Sequence, residues 1–237
     1  MEDWVVDVQP REAPFGVAWD LDGVVVDTTA DHFRAWQALL AEHGMQLTYE
    51  EFLPTFGSRD EDVIPKLWAA RGRTVSPEEI KRLSERKEHL FRTLLPDRMQ
   101  TLPGVESLMQ SLHQAGARQA IATSTPRANL EAILKRLPPL PIQATVTGEE
   151  VQRGKPAPDV FFLAAERLGV PPNRMVVIED APQGIAAAHA AGMPCLAITT
   201  TRPAQVLAQA GADRIVTTFV GLTADDIRAL LDRSGSA

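Results

Sequence analysis

The sequence predicts an α/β fold, a doubly wound parallel sheet with an α-helical module inserted after its first strand. Three observations lead there. Short apolar runs alternate with helical patterns along most of the chain. Within each run the apolar residues are consecutive rather than alternate, as in a strand covered on both faces. And from Ala30 to Leu102 the chain shows helical spacing with no convincing strand.

The elements follow in order. "GVAW" (Gly16–Trp19) reads as the first strand and runs directly into Asp20, Leu21, Asp22 and Gly23. Later strands are expected at Gln119–Thr123, Ile142–Val146, Met175–Ile178, Cys195–Ile198 and Arg214–Val216. Helices between and after them are expected near Val105–Ala115, Ala128–Leu137, Asp159–Leu168, Gly184–Ala191, Pro203–Ala210 and Ala224–Asp232. Strand–helix alternation of this kind specifies a parallel sheet with helices on both sides. The module should hold helices at Asp31–His43, Tyr49–Thr55, Arg59–Arg71 and Pro77–Leu95. The first keeps apolar residues at helical spacing and stops at Gly44. The last opens with a Ser76 N-cap, Pro77 at the first helical position and Glu78 and Glu79 in the first turn. The division expected is a core of residues 1–28 and 103–237 and an inserted module of residues 29–102. In open α/β sheets ligands sit beyond the carboxyl ends of strands, so a helical insert at one such end is placed to act as a lid.

Composition limits the function. The chain has 237 residues, 44% hydrophobic and 23% charged, with a formal net charge of −7. That balance suits an ordinary globular core. It argues against a nucleic-acid or anionic-membrane surface as the main partner, though a local basic pocket can still hold a small anion. Cys195 is the only cysteine, so no internal disulfide is possible, which is compatible with a reducing cytoplasm. No apolar run is long enough to span a membrane. The first residues lack the basic start and apolar stretch of a signal peptide and read as a short extension, and the closing Gly-Ser-Ala reads as a loose tail. The expected setting is cytoplasmic, as a monomer or weak homodimer.

The chemistry lies at the strand ends. The first gives Asp20 and Asp22, the second Thr123, the fourth Glu179 and Asp180, and a loop before a helix gives Lys155. Crowded carboxylates raise one another's pKa unless a cation sits among them. Hard oxygen donors favour Mg²⁺, which takes one or two carboxylates, waters and a phosphate oxygen. Lys155 and Thr123 then suit that phosphate as point charge and hydroxyl donor, and a helix beginning near Pro126 adds backbone N–H groups. The best-matched reaction is phosphoryl transfer to a carboxylate. Asp20 is the candidate nucleophile and Asp22 the candidate general acid/base, held apart by a turn at Gly23. Each residue also has a plainer reading. Glu179 and Asp180 would serve as helix caps, Lys155 as a solvated loop lysine, and Thr123 as a strand-end hydroxyl bonding its own backbone. Cys195 reads as inert core.

"DLDGVVVDT", Thr123, "GKPAPD" and "IEDAPQGI", in this order, resemble the four motifs of the haloacid-dehalogenase superfamily. The helical insert resembles that superfamily's C1 cap, and the likeness runs from Val17 to Val216. It implies a Rossmann-like core, a small phosphorylated metabolite as partner and Mg²⁺ as cofactor. It also implies Asp20 as nucleophile and metal ligand, Asp22 as acid/base with its carbonyl on the metal, Thr123 and Lys155 on the transferring phosphate, and Asp180 with Glu179 on the metal. The superfamily's dehalogenases lack the second aspartate, so dehalogenation is not expected. Within the superfamily "DTTADHFRAWQALLAEHG" is similar to the first cap helix of the β-phosphoglucomutase-like group, including His32 and Trp36. Lys87 stands in the place of a substrate-facing lysine, and "GSRDED" makes Arg59 a candidate for a distal phosphate, although the loop is one residue short before it. His32 reads equally as an interface histidine, Lys87 as part of a solvated face, and Arg59 as an ion-pair partner at a helix start. After Ser124 and Thr125, both candidate substrate contacts, the mutases carry a Lys–Asn pair where this chain has Pro126 and Arg127. Arg127 could replace one donor; Pro126 cannot. "TSTPRAN" looks more like the phosphatases of the group. The expected function is therefore a Mg²⁺-dependent phosphatase acting through an aspartyl phosphate on a small phosphorylated metabolite, a sugar phosphate. The alternatives are a phosphosugar mutase and a non-catalytic, phosphate-responsive binding protein.

Overall fold

The computed structural model describes residues 14–234. The N-terminal extension up to residue 13 and the terminal Gly-Ser-Ala lie outside the described residues. Six parallel strands form one sheet: β1 (Gly16–Trp19), β2 (Arg118–Ala122), β3 (Ala144–Val146), β4 (Met175–Glu179), β5 (Cys195–Ile198) and β6 (Arg214–Val216), in the order β3-β2-β1-β4-β5-β6. The chain winds outward from β1 to β3, returns to the other side of β1 with β4, and winds outward again. The reversal between β1 and β4 is the crevice where such sheets bind ligands.

Consecutive apolar residues in the strands are explained by what covers them. Val17 and Trp19 face a cluster with α5 (Val105–Gln114), α6 (Arg127–Leu134) and α10 (Ala224–Ser234). Ala18 faces the opposite cluster, with α7 (Asp159–Leu168), α8 (Pro182–Ala190) and α9 (Ala204–Gln209). Several boundaries differ by a residue or two from the sequence expectation, as fraying ends do. The expected strand Ile142–Val146 is shorter, because pairing with β2 begins only at Ala144. Thr123 lies one residue past β2, its N–H still donating to the Val146 carbonyl at 3.0 Å.

The insert comprises α1 (Thr29–Glu42), α2 (Tyr49–Phe52), α3 (Asp60–Ala69) and α4 (Pro77–Leu94). The single helix expected over Tyr49–Thr55 gives way after Phe52 to one 3₁₀ turn at Leu53–Thr55 containing Pro54, which has no N–H to offer a regular helix. Capping boxes at Thr48/Glu51 and Ser76/Glu79 start α2 and α4. These helices enclose a hydrophobic cluster of their own, with Trp36, Leu39, Leu40, Phe52, Ile64 and Trp68 at its centre. The far end of α4 leaves it: Phe91 and Leu95 pack with Val25, Val26 and Met99 beside the sheet. The module is therefore rooted in the core at one end and stands over the strand ends at the other.

Candidate active site

β1 ends by handing Asp20 to the sheet edge, where its N–H donates to the Ile178 carbonyl at 2.9 Å. The Asp20 carboxylate meets the Lys155 ammonium at 2.5 Å. Burial pushes the Asp20 carboxyl up to about 7; Lys155 opposes the rise, while Glu179 and Asp22 add to it. Lys155 is no solvated loop residue. Its side chain is 5% exposed, donates to Asp20, to Glu179 at 2.7 Å and to the Ala122 carbonyl at 3.2 Å, and lies 5.0 Å from the Phe161 ring centre. Burial works against its charge, yet the two carboxylates hold its pKa above the ordinary lysine value.

Asp22 lives in different surroundings. Gly23 turns the chain with φ +83°, and Val25 and Val26 fold their N–H groups back onto the Leu21 carbonyl at 2.9 and 3.1 Å. The Asp22 carboxylate has partners other than Lys155. It accepts the hydroxyls of Thr28 and Thr125, with His32 Nε2 at 3.7 Å. Burial raises its pKa, but the facing His32 ring and the two hydroxyls outweigh this and hold it below the ordinary carboxylate value.

β4 delivers the other acids. Glu179 Oε2 accepts from the N–H groups of Asp180 and Ala181 at 2.9 and 3.1 Å, so it does cap the backbone ahead of α8. Its other oxygen holds Lys155. The carboxylate occupies a cradle that exists only because residue 184 is glycine; a Cβ there would lie 1.8 Å from Glu179 Oε1. Asp180 sits in a second cradle, where a Cβ on Gly23 would come 2.2 Å from Asp180 Oδ2. Thr201 donates to Asp180 from the loop after β5. Burial, reinforced by Glu179 and Asp20, pushes Asp180 well above its ordinary value.

This set fits a hard divalent cation. It offers oxygen donors only, in cradles shaped for carboxylates, with more buried negative charge than Lys155 balances. Asp20, Asp180 and the Asp22 carbonyl are the groups that would hold it. Among the described residues no three acidic, histidine or cysteine side chains converge on one point as a ready-made cage. The Lys155 ammonium stands between Asp20 and Glu179, and a magnesium site needs only one or two carboxylates.

The remaining predicted residues divide. Thr123 is buried beside Asp20 and accepts from the Thr125 N–H at 3.1 Å, the local bond its plainer reading expected. Asp20, Asp22, His32, Arg59, Lys87, Thr123, Ser124, Thr125, Lys155, Glu179 and Asp180 all line one cavity of about 870 Å³ between the sheet edge and the helical insert. Gly148 lets a second loop approach Ser124, since a Cβ there would lie 2.6 Å from its carbonyl oxygen. Lys87, expected on a charge-rich and partly solvated helix, is 3% exposed. It pairs with Glu88 at 2.9 Å and Asp60 at 3.3 Å, and donates to His32 Nδ1 at 3.1 Å. His32 stacks on Phe91 with ring centres 4.1 Å apart. Arg59 precedes α3, and its side chain makes no hydrogen bond or ion pair with a described residue; its guanidinium rests on Gly154, where a Cβ would come within 2.6 Å. Arg127 is a correction. It does not line the cavity, because its guanidinium turns to Glu150 and Thr145. Sequence reasoning missed Thr28, Asp60, Glu88, Gly148, Gly184 and Thr201. Of these Thr28, Asp60 and Gly184 stood inside the quoted motif stretches, while Glu88, Gly148 and Thr201 carried no local signal.

Comparison with known proteins agrees with this fold. A family model described as haloacid dehalogenase-like hydrolase matches residues 16–192. The chain is 34% identical over 180 residues to fructose-1-phosphate phosphatase YqaB of Escherichia coli (strain K12), covering 75% of this chain and 93% of that protein. It is 32% identical over 220 residues to Protein SUPPRESSOR OF QUENCHING 1, chloroplastic, of Arabidopsis thaliana, covering 89% of this chain but only 20% of that protein. Its fold is similar to the crystal structure of CbbY from Rhodobacter sphaeroides in complex with phosphate, with a TM-score of 0.79, 26% identity, and coverage of 91% of this chain and 99% of that one.

Proposed function

We propose that this chain, which belongs to the haloacid dehalogenase-like hydrolase family, is a Mg²⁺-dependent phosphatase that hydrolyses a small phosphorylated metabolite, a sugar phosphate, through phospho-Asp20. We treat residues 29–102 as the cap and the rest as the core, and take the protein to be cytoplasmic. The observation that carries the reading is the contrast between two neighbouring carboxylates. Asp20 is pinned at the sheet edge by Lys155, while Asp22 is turned onto hydroxyls and an imidazole. Asp20 faces the cation that would meet the phosphate, and Asp22 faces groups able to exchange protons, so their partners divide nucleophile from acid/base.

In the first half-reaction an Asp20 oxygen attacks phosphorus, an O–P bond forms and the bond to the substrate oxygen breaks. Asp22 gives its proton to that leaving oxygen. In the second half-reaction Asp22, now a carboxylate, takes a proton from water as the water attacks phospho-Asp20. Phosphate leaves and Asp20 is regenerated. Lys155 and the Thr123 hydroxyl hold the phosphoryl oxygens, and Ser124 and Thr125 line the same wall. Bound between Asp20, Asp180 and the Asp22 carbonyl, Mg²⁺ would neutralise phosphate charge. The arrangement around Asp22 favours its ionised form, the form needed for the second half. The first half requires a proton on Asp22, the form that its contacts with His32, Thr28 and Thr125 disfavour. The Arg59 guanidinium, with no ion pair among the described residues, lines the cavity and suits a second anionic or polar group of the substrate, with His32 and Lys87 lining the same cavity.

The phosphosugar mutase is less well supported. A mutase must grip two phosphates in either orientation, and Arg127, which alone could replace a missing donor, is committed to Glu150. The binding-protein reading would be favoured by a lost nucleophile or acid/base, and both aspartates are present. The test is a panel of phosphorylated metabolites assayed with Mg²⁺. It should give free phosphate from at least one sugar phosphate, and no turnover across the panel would sink the proposal. β-Glucose 1-phosphate with a trace of the bisphosphate separates the two enzymes: mostly glucose 6-phosphate would identify the mutase.

A further inference from the structure

Asn129 stands in the first turn of α6, on the core side of the seam with the cap, and is completely buried. Both ends of its amide are used, and both reach across to α4. Its Oδ1 accepts from Arg92 Nη1 at 2.7 Å, and its Nδ2 donates to Glu88 Oε2. A buried amide with both polar ends paired across a seam fixes the register of the two helices, since any shift leaves desolvated groups unpaired.

The bonds continue inward from Glu88. Its other oxygen, Oε1, accepts from Lys87 at 2.9 Å, and Lys87 Nζ lies 3.1 Å from His32 Nδ1. An ammonium has no lone pair to offer, so Nδ1 must be the acceptor and the ring proton sits on Nε2. That Nε2 faces Asp22 Oδ1 at 3.7 Å. Asp60, Trp36 and Phe91 also surround Lys87, at 3.3 Å, 5.3 Å and 6.0 Å.

We infer that Asn129 is a positioning residue for the reaction: by locking Glu88 and Arg92 of the cap to the core it sets, through Lys87, the tautomer and placement of the His32 ring that faces the acid/base Asp22. The role in turnover rests on the phosphatase reading; the hydrogen-bond chain does not. In this chain Asn129 is what ties cap placement to proton transfer, and His32 is the last link rather than an isolated interface histidine.

The test uses the full chain with two substitutions. Asn129→Asp is isosteric and keeps the acceptor for Arg92, but sets a carboxylate oxygen against Glu88. Asn129→Leu removes both bonds at similar volume. ¹⁵N-histidine NMR of the substrate-free protein, at a pH where imidazole is neutral, reads the tautomer directly. In the unsubstituted chain His32 should show one form, with the proton on Nε2; in both variants it should move toward a mixture. With p-nitrophenyl phosphate and Mg²⁺, kcat should fall about 10- to 100-fold while KM changes far less, the pattern of a misplaced catalytic group. A His32 signal unchanged in both variants overturns the inference whatever the kinetics. So does a shifted signal with unaltered kcat. If even the unsubstituted chain turns over no phosphate ester, the phosphatase reading fails, and the NMR still decides the chain from Asn129 to His32.

Discussion

Asp20 and Asp22 are chemically identical groups that their surroundings drive apart. Asp20 is pushed up to about 7 by burial although Lys155 lies 2.5 Å away. Asp22, equally enclosed, is drawn below its ordinary value by His32, Thr125 and Thr28. Asn has nearly the size and shape of Asp but no nucleophilic carboxylate, so Asp20→Asn should abolish turnover of any phosphate ester; substantial remaining activity would refute the covalent route. Two glycines matter as much as the acids. Gly184 is needed for space, because a Cβ would stand 1.8 Å from Glu179 Oε1. Gly184→Ala must displace that carboxylate, loosening Lys155 and the Asp180 backbone together. Loss of such a supporting contact typically costs about 10- to 100-fold in activity or metal affinity. A Mg²⁺ titration of turnover should show it, and an unchanged titration would mean that Glu179 has no part in holding the site.

At the scale of elements, each strand end places its residue through backbone pairing. The Asp20 N–H continues the β1–β4 ladder and the Thr123 N–H continues the β2–β3 ladder, so neither side chain depends on a free loop for its position. The cap helices depend more on local chemistry. α4 opens with a complete capping box, in which the Ser76 hydroxyl accepts from the Glu79 N–H at 3.2 Å and Glu79 accepts from the Ser76 N–H at 2.9 Å. Ser76→Ala should therefore cost about 1 kcal/mol, read as a lower midpoint in urea at unchanged slope. A change in slope would instead mean that the cap unfolds separately from the core. α4 presents Lys87 and Glu88 toward the seam while Phe91 and Leu95 root it in the core, so one helix supplies both cavity wall and anchor.

For the molecule as a whole, the sheet edge gathers more negative charge than its own cation offsets. The consequence is coupling between cation, proton and stability. With Asp20 raised to about 7 and no added cation, the native state keeps a proton that the unfolded chain releases at an ordinary carboxylate pKa. That contribution to stability is complete below the unfolded value, about 3.9, and is lost as pH rises through about 7. A bound cation must displace the proton, so apparent Mg²⁺ affinity should rise with pH through about 7. Thermal unfolding with and without Mg²⁺ across that range checks this. The increase in Tm given by Mg²⁺ should be small in acid and larger above neutrality, and an increase independent of pH would contradict it.

Local pattern was enough to read the alternating strands and helices, the helical insert, and the carboxylates, threonine and lysine at the strand ends. Those features are fixed by periodicity and turn chemistry within a few residues, and strand ends in a doubly wound sheet share one edge whatever fills the loops between them. The tertiary structure decided which charged groups pair. Lys87, on a helix rich in charge, is buried among Asp60, Glu88 and His32; Arg127, adjacent in sequence to the site, is drawn away by Glu150; Asn129, for which the sequence suggests no partner, closes the seam. The physical reason is range. Hydrophobic period and capping act between neighbours along the chain, whereas a buried charge or amide takes whatever partner lies within about 3 Å of it in space, and that is set only once the cap is seated on the core.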